Sequence, residues 1–243
     1  MSDGWNESAT AWIAALGGEG DWGRRYVLDA PMAARVEGRG FRTALDVGCG
    51  EGRFCRALKA WGVAAVGIDP TESLIREARE RDPTGDYRIG RGEALDFADA
   101  SFDLVVSYLT LINIPDVRRG IAEMTRVLRP GGTLLIANMT SFVTACPPEE
   151  GSVEEDGRPS RFYVDHYLEE RAHWAGWNGM RIRDWHRPLS LYMSLLLDQG
   201  LLLRHFAEPA AVGGDPARAE RLRRVPFYLI MEWQKPATAS RPG

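Results

Sequence analysis

The chain has few of the residues that disulfide-rich, metal-binding and membrane proteins need. Its three cysteines, at 49, 55 and 146, fit no metal-ligand spacing and leave one thiol unpaired if any disulfide forms. We therefore predict reduced thiols and no metal site. No apolar run approaches the roughly 18 residues of a membrane-spanning helix, and the first residues lack the basic and apolar segments of a signal peptide. These absences predict a cytoplasmic protein that does not contact a membrane.

Strong charge of either sign is missing as well. The chain has 30 Lys and Arg against 34 Asp and Glu, which gives a formal net charge of −4. Binding to a nucleic acid usually requires a strong positive field, so we expect no nucleic-acid partner. A length of 243 residues, 44% of them apolar, predicts one domain with a full core. We expect a monomer or a homodimer.

Apolar strand-like segments alternate with amphipathic helical segments, which is the pattern of an α/β fold with a doubly wound, mostly parallel sheet. The predicted strands are 43–48, 63–69, 86–90, 102–107, 132–138, 201–207 and 227–233. The predicted helices are 53–61, 71–81, 116–128 and 189–199. A polar stretch, 208–226, joins the last two strands where an apolar helix would be usual.

A glycine-rich turn follows the first predicted strand. Residues 45–52 read Leu-Asp-Val-Gly-Cys-Gly-Glu-Gly. The glycines, including Gly48 and Gly50, allow a tight strand-to-helix turn with a bare backbone against which a ligand can lie. A dinucleotide fingerprint would need its third glycine at 53, and that position is Arg. The carboxylate of Asp46 suits a cationic or amine-bearing ligand better than a phosphate.

This run resembles the first motif of the class I S-adenosylmethionine-dependent methyltransferases. Residues 92–107 and the turn at 129–132 are similar to those of the ubiquinone and menaquinone biosynthesis (type 11) group. The resemblance covers roughly residues 40–140 and weakens over 186–233. It implies a Rossmann-like fold of seven strands with an antiparallel last strand. It also implies S-adenosylmethionine as cofactor and S-adenosylhomocysteine as product.

Asp69 ends the second predicted strand, where its two carboxylate oxygens can accept hydrogen bonds from both hydroxyls of a ribose. The alternative is that Asp69 only caps the following helix. In the resembling family the next residue, here Pro70, often rests against the adenine ring.

The turn that holds adenine in the resembling group corresponds to Gly92, Glu93 and Ala94. Arg91 stands where that group usually has an Asp, and an Arg side chain has no acceptor for the adenine amino group. We therefore expect backbone groups near Gly92 and Glu93 to hold adenine. The alternative for Glu93 is a solvent-facing turn residue with no role in binding. Ser107 ends the fourth strand at the edge where open α/β sheets bind ligands, and is a further candidate for cofactor binding.

The amino-terminal segment spaces Trp5 and Trp12 along one helical face. Such a helix can form a lid over the cofactor, as is common in the resembling family, or can simply anchor itself on the sheet. Arg25 follows, and its guanidinium is a candidate partner for the methionyl carboxylate of the cofactor.

Residues 140–188 are too long for a plain crossover and are rich in aromatic residues. They can form a cap around an apolar acceptor, or a small satellite core. Candidate general bases are His166, His173 and His186, since a histidine titrates near neutral pH. Tyr163, Tyr167 and Tyr192 are candidate positioning residues. For each histidine, a surface or hinge role is the alternative.

These features predict one methyltransferase domain over 1–243 that methylates a small molecule, at oxygen or nitrogen. We divide it into lid helices (1–35), a cofactor-binding half (36–139), a substrate cap (140–188), and a closing helix with the final strands (189–234). Two alternatives stay open: a methyltransferase that acts on a peptide or protein, and a subunit that binds S-adenosylmethionine without catalysis.

Overall fold

The computed structural model describes residues 3–146, 152–153 and 161–237. Three helical segments precede the sheet: α1 (Trp5–Leu16), a π-helical turn (Arg24–Leu28) and α2 (Asp29–Ala34). The helices that follow are α3 (Arg53–Ala60), α4 (Glu72–Arg81), α5 (Val117–Val127), α6 (Ser141–Ala145), α7 (Leu189–Asp198) and α8 (Pro216–Arg224).

Seven strands form the central sheet. They are β1 (Thr43–Val47), β2 (Ala64–Asp69), β3 (Asp86–Ile89), β4 (Phe102–Tyr108), β5 (Leu128–Met139), β10 (Leu202–Ala207) and β11 (Tyr228–Gln234). Their order is β10-β11-β5-β4-β1-β2-β3. The five strands from β5 to β3 are parallel, and β11 runs antiparallel to both of its neighbours. The predicted fold class is confirmed.

The central strands are apolar on both faces because helices cover the sheet on both sides. On one face, residues such as Leu45 and Val105 pack with α5 and α7. On the other face, residues such as Ala44 and Leu104 pack with α2 and α3. Burial of both faces explains why these strands appear in the sequence as continuous apolar runs.

The structure differs from the sequence-based expectation at the start of β5. The strand begins at Leu128, before the predicted turn at 129–132. Leu128 lies opposite Phe102, and the next pair is Thr133 opposite Leu104. The predicted turn is therefore an irregularity near the start of a longer strand.

The stretch 208–226 contains a helix, α8, that we did not predict. The side chain of Asp215 caps α8 by accepting a 2.7 Å hydrogen bond from the backbone N–H of Arg218, and a proline occupies the first turn. Ala219 is the buried residue of α8, so the segment lacks the apolar periodicity that predicts a helix.

Two antiparallel strand pairs lie within the described part of 140–188. The short strands β6 (Ser152–Val153) and β7 (Arg161–Phe162) pair with each other, and β8 (Arg171–Trp177) forms a hairpin with β9 (Met180–His186). We refer to β8 and β9 as the cap hairpin. Hydrogen bonds tie β9 to the segment before α1 and to the loop after β4: Arg183 N donates to Asp3 O at 2.8 Å, and Trp185 N donates to Ile112 O at 2.7 Å.

None of the helices within the described ranges combines the length and the apolar character that crossing a bilayer would require.

Candidate functional site

The turn after β1 requires glycine at positions 48 and 52, because the backbone has a positive φ there and a Cβ would clash with a neighbouring side chain. Gly48 has a φ of 77°, and a Cβ at this position would lie 2.2 Å from the side chain of Thr110. Gly52 has a φ of 81°, and its Cβ would lie 2.6 Å from the ring of Tyr87. The turn therefore leaves a bare backbone beside the end of β2.

Asp69 lies at the carboxyl end of β2, and both of its oxygens accept backbone hydrogen bonds. Gly50 N donates to Oδ2 at 3.0 Å, and Thr71 N donates to Oδ1 at 2.8 Å. Burial raises the pKa of Asp69, although these two hydrogen bonds oppose the shift. Each oxygen keeps further acceptor capacity, so the carboxylate can receive a pair of neighbouring hydroxyls.

A groove runs along this edge of the sheet between the glycine turn and the loop after β3. Gly48, Gly50, Asp69 and Pro70 line one part of it, and the turn that contains Gly92 and Glu93 lines the other part. The structure thus brings six of the predicted cofactor-binding residues into one groove. Arg91 also lines it.

Asp46 lies deeper than the groove, beneath the glycine turn. It lines a smaller neighbouring recess together with Gly48, Gly50 and Arg24. Its Oδ2 accepts a hydrogen bond from Cys55 Sγ at 3.5 Å. Burial raises the pKa of Asp46 to about 7. Asp46 is therefore a buried acid at the base of the site.

Arg24, and not the predicted Arg25, is the arginine of this site. Arg24 is 8% exposed and lines both the groove and the recess. It pairs with Asp21 and lies over the ring of Trp12 at 4.9 Å. Arg25 lines neither space, and its exposed side chain pairs with Glu19 at 2.9 Å. Both arginines lie in the π-helical turn, whose phase decides which of them faces the sheet.

Two further cofactor candidates lie outside the groove. The hydroxyl of Ser107 is completely buried inside the fold and has no hydrogen-bond partner among the described residues. Ala94 is the exposed last residue of the turn at 91–94. Neither residue lines the groove, although Tyr108, which follows Ser107 at the end of β4, does. The roles of Ser107 and Ala94 in cofactor binding stay predictions.

A second cavity, with a volume of about 470 Å³, lies next to the groove. Both spaces are lined by Trp5, Trp12, Arg24, Leu109 and Asn113. Most of the rest of its wall comes from β5, the cap hairpin, α8, β11 and the segment before the π-helical turn. We call this space the aromatic cavity because tryptophan, tyrosine and phenylalanine residues recur in its wall: Trp5, Trp12, Trp22, Trp177, Phe227 and Tyr228.

The two predicted tryptophans do lie on one face of α1. The rings of Trp5 and Trp12 meet edge to face, with centroids 5.2 Å apart. Both contribute to the wall between groove and cavity. Leu109, in the same wall, has a φ of 59°, which a leucine rarely adopts. Such backbone strain is typical of functional sites.

Asp184 of β9 is an acid of the aromatic cavity that we did not predict. Its Oδ1 accepts a 2.7 Å hydrogen bond from Nδ2 of Asn113. Burial raises the pKa of Asp184 to about 7. A signal for it exists in the sequence, since Asp184 follows Met180 and Ile182 on the buried side of an alternating strand.

His186 is fully buried, and both of its ring nitrogens are occupied. Nδ1 lies 2.8 Å from Thr144 Oγ1, and Nε2 lies 2.8 Å from the carbonyl oxygen of Tyr167. Since a carbonyl only accepts, Nε2 carries the proton and Nδ1 accepts from the threonine hydroxyl. The ring therefore has no free nitrogen for a substrate, which contradicts the predicted role of His186 as a base.

The other predicted bases and positioning residues also lie outside the aromatic cavity. His166 is exposed and pairs with Glu169 at 2.8 Å, and Tyr163 is 41% exposed. Tyr167 packs near His186, and Tyr192 is buried in the core. His173 lies opposite Asp184 in the cap hairpin and so shares its face, but it does not line the cavity. The residues of 140–188 that line the cavity come from the cap hairpin, and the predicted histidines and tyrosines are not among them.

The three cysteines are free. Within the described ranges, histidine, cysteine and acidic side chains form no cluster of three or more that could hold a metal ion.

Residues 45–136 match the sequence profile of the family described as a methyltransferase domain. The chain is 34% identical to a demethylmenaquinone methyltransferase of Renibacterium salmoninarum over 53% of this chain and 52% of that protein. It is 30% identical to a ubiquinone biosynthesis O-methyltransferase of Methylococcus capsulatus over 71% of this chain and 79% of that protein. The chain spans about half the length of several curated relatives that it matches.

Among solved structures, an S-adenosylmethionine-dependent methyltransferase from Mesorhizobium loti is similar to this chain, with a TM-score of 0.73 and 25% identity. The similarity covers 90% of this chain and 100% of that one.

Proposed function

Because the chain belongs to the class I S-adenosylmethionine-dependent methyltransferases, we propose that it transfers a methyl group to a small-molecule acceptor, at oxygen or nitrogen. The observation that carries this proposal is the wall that the groove and the aromatic cavity share. A donor in the groove and an acceptor in the cavity would meet there, between Trp12, Leu109 and Asn113.

Three features of the groove suit S-adenosylmethionine. The bare backbone at Gly48 leaves room that a Cβ would fill, and the Asp69 carboxylate has acceptor capacity for the ribose hydroxyls. Arg24 provides a buried guanidinium for the methionyl carboxylate. When bound, the cofactor supplies a methyl group already activated on a sulfonium. The residues named here would hold and orient it.

The size and lining of the aromatic cavity favour a small, flat acceptor. A volume of about 470 Å³ lies within the range of small-molecule sites. Its aromatic wall would exclude water and align the acceptor with the methyl group. Alignment of two reactants is a large part of what an enzyme contributes to a displacement reaction.

The proposal is tested by incubating the protein with S-adenosylmethionine and a panel of phenols, amines, carboxylates and quinols. We expect S-adenosylhomocysteine to form with at least one acceptor, as measured by mass spectrometry. If S-adenosylhomocysteine binds but no acceptor on the panel is methylated, the chain is instead a non-catalytic binding subunit or acts on a peptide. Methylation of peptides alone would favour the second of these alternatives.

A matched pair of variants tests whether the acceptor occupies the aromatic cavity. Ala175 lines the cavity, whereas Ala172 lies on the opposite face of the same strand. Ala175→Phe should abolish methylation without changing the affinity for S-adenosylhomocysteine, and Ala172→Phe should retain activity. Equal activity of both variants would place the acceptor elsewhere.

A further inference from the structure

We propose that Asp184, held by Asn113, is the general base that removes the proton from an aromatic hydroxyl acceptor bound in the aromatic cavity. This inference rests on the proposed function and adds to it the class of acceptor and the group that activates it.

The position of Asp184 is the first observation. Its side chain faces the aromatic cavity from β9 and is held by Asn113, a residue that lines both the cavity and the groove. Asn113 Nδ2 donates to Asp184 Oδ1 at 2.7 Å and also approaches the carbonyl oxygen of Arg183 at 3.3 Å. Oδ2 of Asp184 has no hydrogen-bond partner among the described residues and can receive a proton from a ligand. The carboxylate is therefore fixed next to the wall where donor and acceptor would meet.

The protonation state of Asp184 fits this task. Burial raises its pKa to about 7, so near neutral pH it can both take up and release a proton. Other titratable or charged groups line the same cavity: Asp21 and Arg24 before α2, Arg218 of α8 and Tyr228 of β11. His173 of β8 lies opposite Asp184 in the cap hairpin but does not line the cavity. Asp21 pairs with Arg24, and burial lowers the pKa of His173. Asp184 is thus the acid at this wall whose charge is not neutralised by an arginine.

The charge of the cavity favours a hydroxyl over an ammonium group. Arg24 and Arg218 both lie in its wall, and Arg218 pairs with no carboxylate in the described part of the chain. Arg24 is already paired with Asp21, so the guanidinium of Arg218 is the one that disfavours a cationic ligand. The rings of Trp5, Trp12 and Trp177 offer faces and edges that pack with a flat aromatic molecule.

The proposed step balances without any further reactant. A lone pair on the acceptor oxygen forms the new C–O bond while the bond between methyl carbon and sulfur breaks. The electron pair of that bond stays on sulfur, which becomes a neutral thioether. The hydroxyl proton passes to Oδ2 of Asp184, from which solvent removes it after the product leaves.

The test compares Asp184→Asn with His173→Gln, which removes the nearest rival base, and with Asp165→Asn, an exposed carboxylate outside the cavity. With a phenol that the wild-type protein methylates, Asp184→Asn should lower kcat by about 100-fold to 10,000-fold. Its affinity for S-adenosylhomocysteine should be unchanged. The acid limb of the wild-type profile of kcat/KM against pH should be absent. The two other variants should keep kcat and the acid limb.

A second measurement does not depend on turnover. In protein labelled with ¹³C-aspartate and saturated with S-adenosylhomocysteine, one carboxyl resonance that titrates near pH 7 should be missing from Asp184→Asn. Addition of phenol should shift that resonance in the wild-type protein. The inference is overturned if phenol does not shift it, if Asp184→Asn retains kcat, if His173→Gln removes the acid limb, or if only amines are methylated. Failure of the wild-type protein to methylate anything would contradict the proposed function, and the phenol titration would still decide the role of Asp184.

Discussion

The backbone N–H of Gly50 donates a 3.0 Å hydrogen bond to Oδ2 of Asp69. This bond joins the glycine turn after β1 to the end of β2, the neighbouring strand. It holds the carboxylate in place while leaving acceptor capacity on both oxygens. The glycine turn and the end of β2, which are 19 residues apart in the sequence, therefore form one wall of the groove.

Asp69→Ala should weaken the binding of S-adenosylhomocysteine by roughly 10-fold to 150-fold. The reason is that a hydrogen bond to a charged group contributes about 1.5–3 kcal/mol. Isothermal titration calorimetry measures the change directly. Asp86→Ala serves as the control, since Asp86 starts β3 and pairs with Arg88 at the surface. Equal affinity of the Asp69 variant and wild type would remove the ribose assignment.

Arg24→Ala should weaken the binding of S-adenosylhomocysteine by about 10-fold or more, because the carboxylate of the ligand loses its buried guanidinium partner. Arg25→Ala should leave the affinity unchanged, since Arg25 is exposed and lines neither space. Calorimetry on the two variants separates these neighbouring residues.

A ligand without the carboxylate distinguishes direct contact from a folding defect. Loss of Arg24 also removes its pair with Asp21, so the variant could bind weakly for a structural reason. Methylthioadenosine lacks the amino acid part of the cofactor. Wild type and Arg24→Ala should therefore bind methylthioadenosine equally. A similar loss for both ligands would mean that Arg24 only supports the fold.

The central strands of the sheet could be predicted from the sequence because they are buried on both faces and bounded by turn residues. Residues 43–47 and 64–69, for example, are mostly apolar, as expected for strands covered on both faces. The cofactor groove was predictable for a related reason. Gly48, Gly50 and Asp69 sit at strand ends, and the ends of neighbouring parallel strands meet at one edge.

The acceptor side could not be predicted in the same way. Asp184 and His173 are brought to one face by the pairing of β8 with β9, and the hairpin is held by Asp3 and Ile112, which are distant in sequence. The choice between Arg24 and Arg25 depends on a π-helical turn that has no sequence signature. Tertiary contacts, and not local propensity, set these orientations.

Gly48→Ala should destabilise the protein strongly. The residue has a φ of 77°, which costs a side chain about 1–2 kcal/mol. In addition, the new Cβ would lie 2.2 Å from Thr110. We expect a total loss of about 3 kcal/mol or more in the free energy of unfolding, measured by chemical denaturation.

Gly62→Ala isolates the conformational part of that loss. Gly62 has a φ of 79°, and a Cβ added to it would have no neighbouring atom within 4 Å among the described residues. Its variant should therefore lose only about 1–2 kcal/mol. If the two variants lost the same free energy of unfolding, the close approach of Thr110 would not constrain position 48.

His186→Gln should reduce the loss of stability that the protein undergoes in acid. Burial lowers the pKa of His186 below its ordinary value of 6.5, because the folded state holds the ring neutral. The unfolded state then binds more protons, so the free energy of unfolding falls as the pH drops below about 6.5. Removal of the ring removes this contribution. Burial lowers the pKa of His173 as well, so a smaller acid loss should persist in the variant.

The measurement compares the change in the free energy of unfolding between about pH 7.5 and pH 5, and not its absolute value, since His186→Gln also disturbs the hydrogen bonds to Thr144 and Tyr167. The raised pKa values of Asp46 and Asp184 act with the opposite sign, but they are common to both proteins and cancel. His166→Gln is the control: the pKa of His166 is raised, so its removal should leave the acid loss at least as large as in wild type. An unchanged slope in His186→Gln would mean that the ring is charged in the folded protein, and its hydrogen bond to the carbonyl of Tyr167 would then be one of two donated bonds.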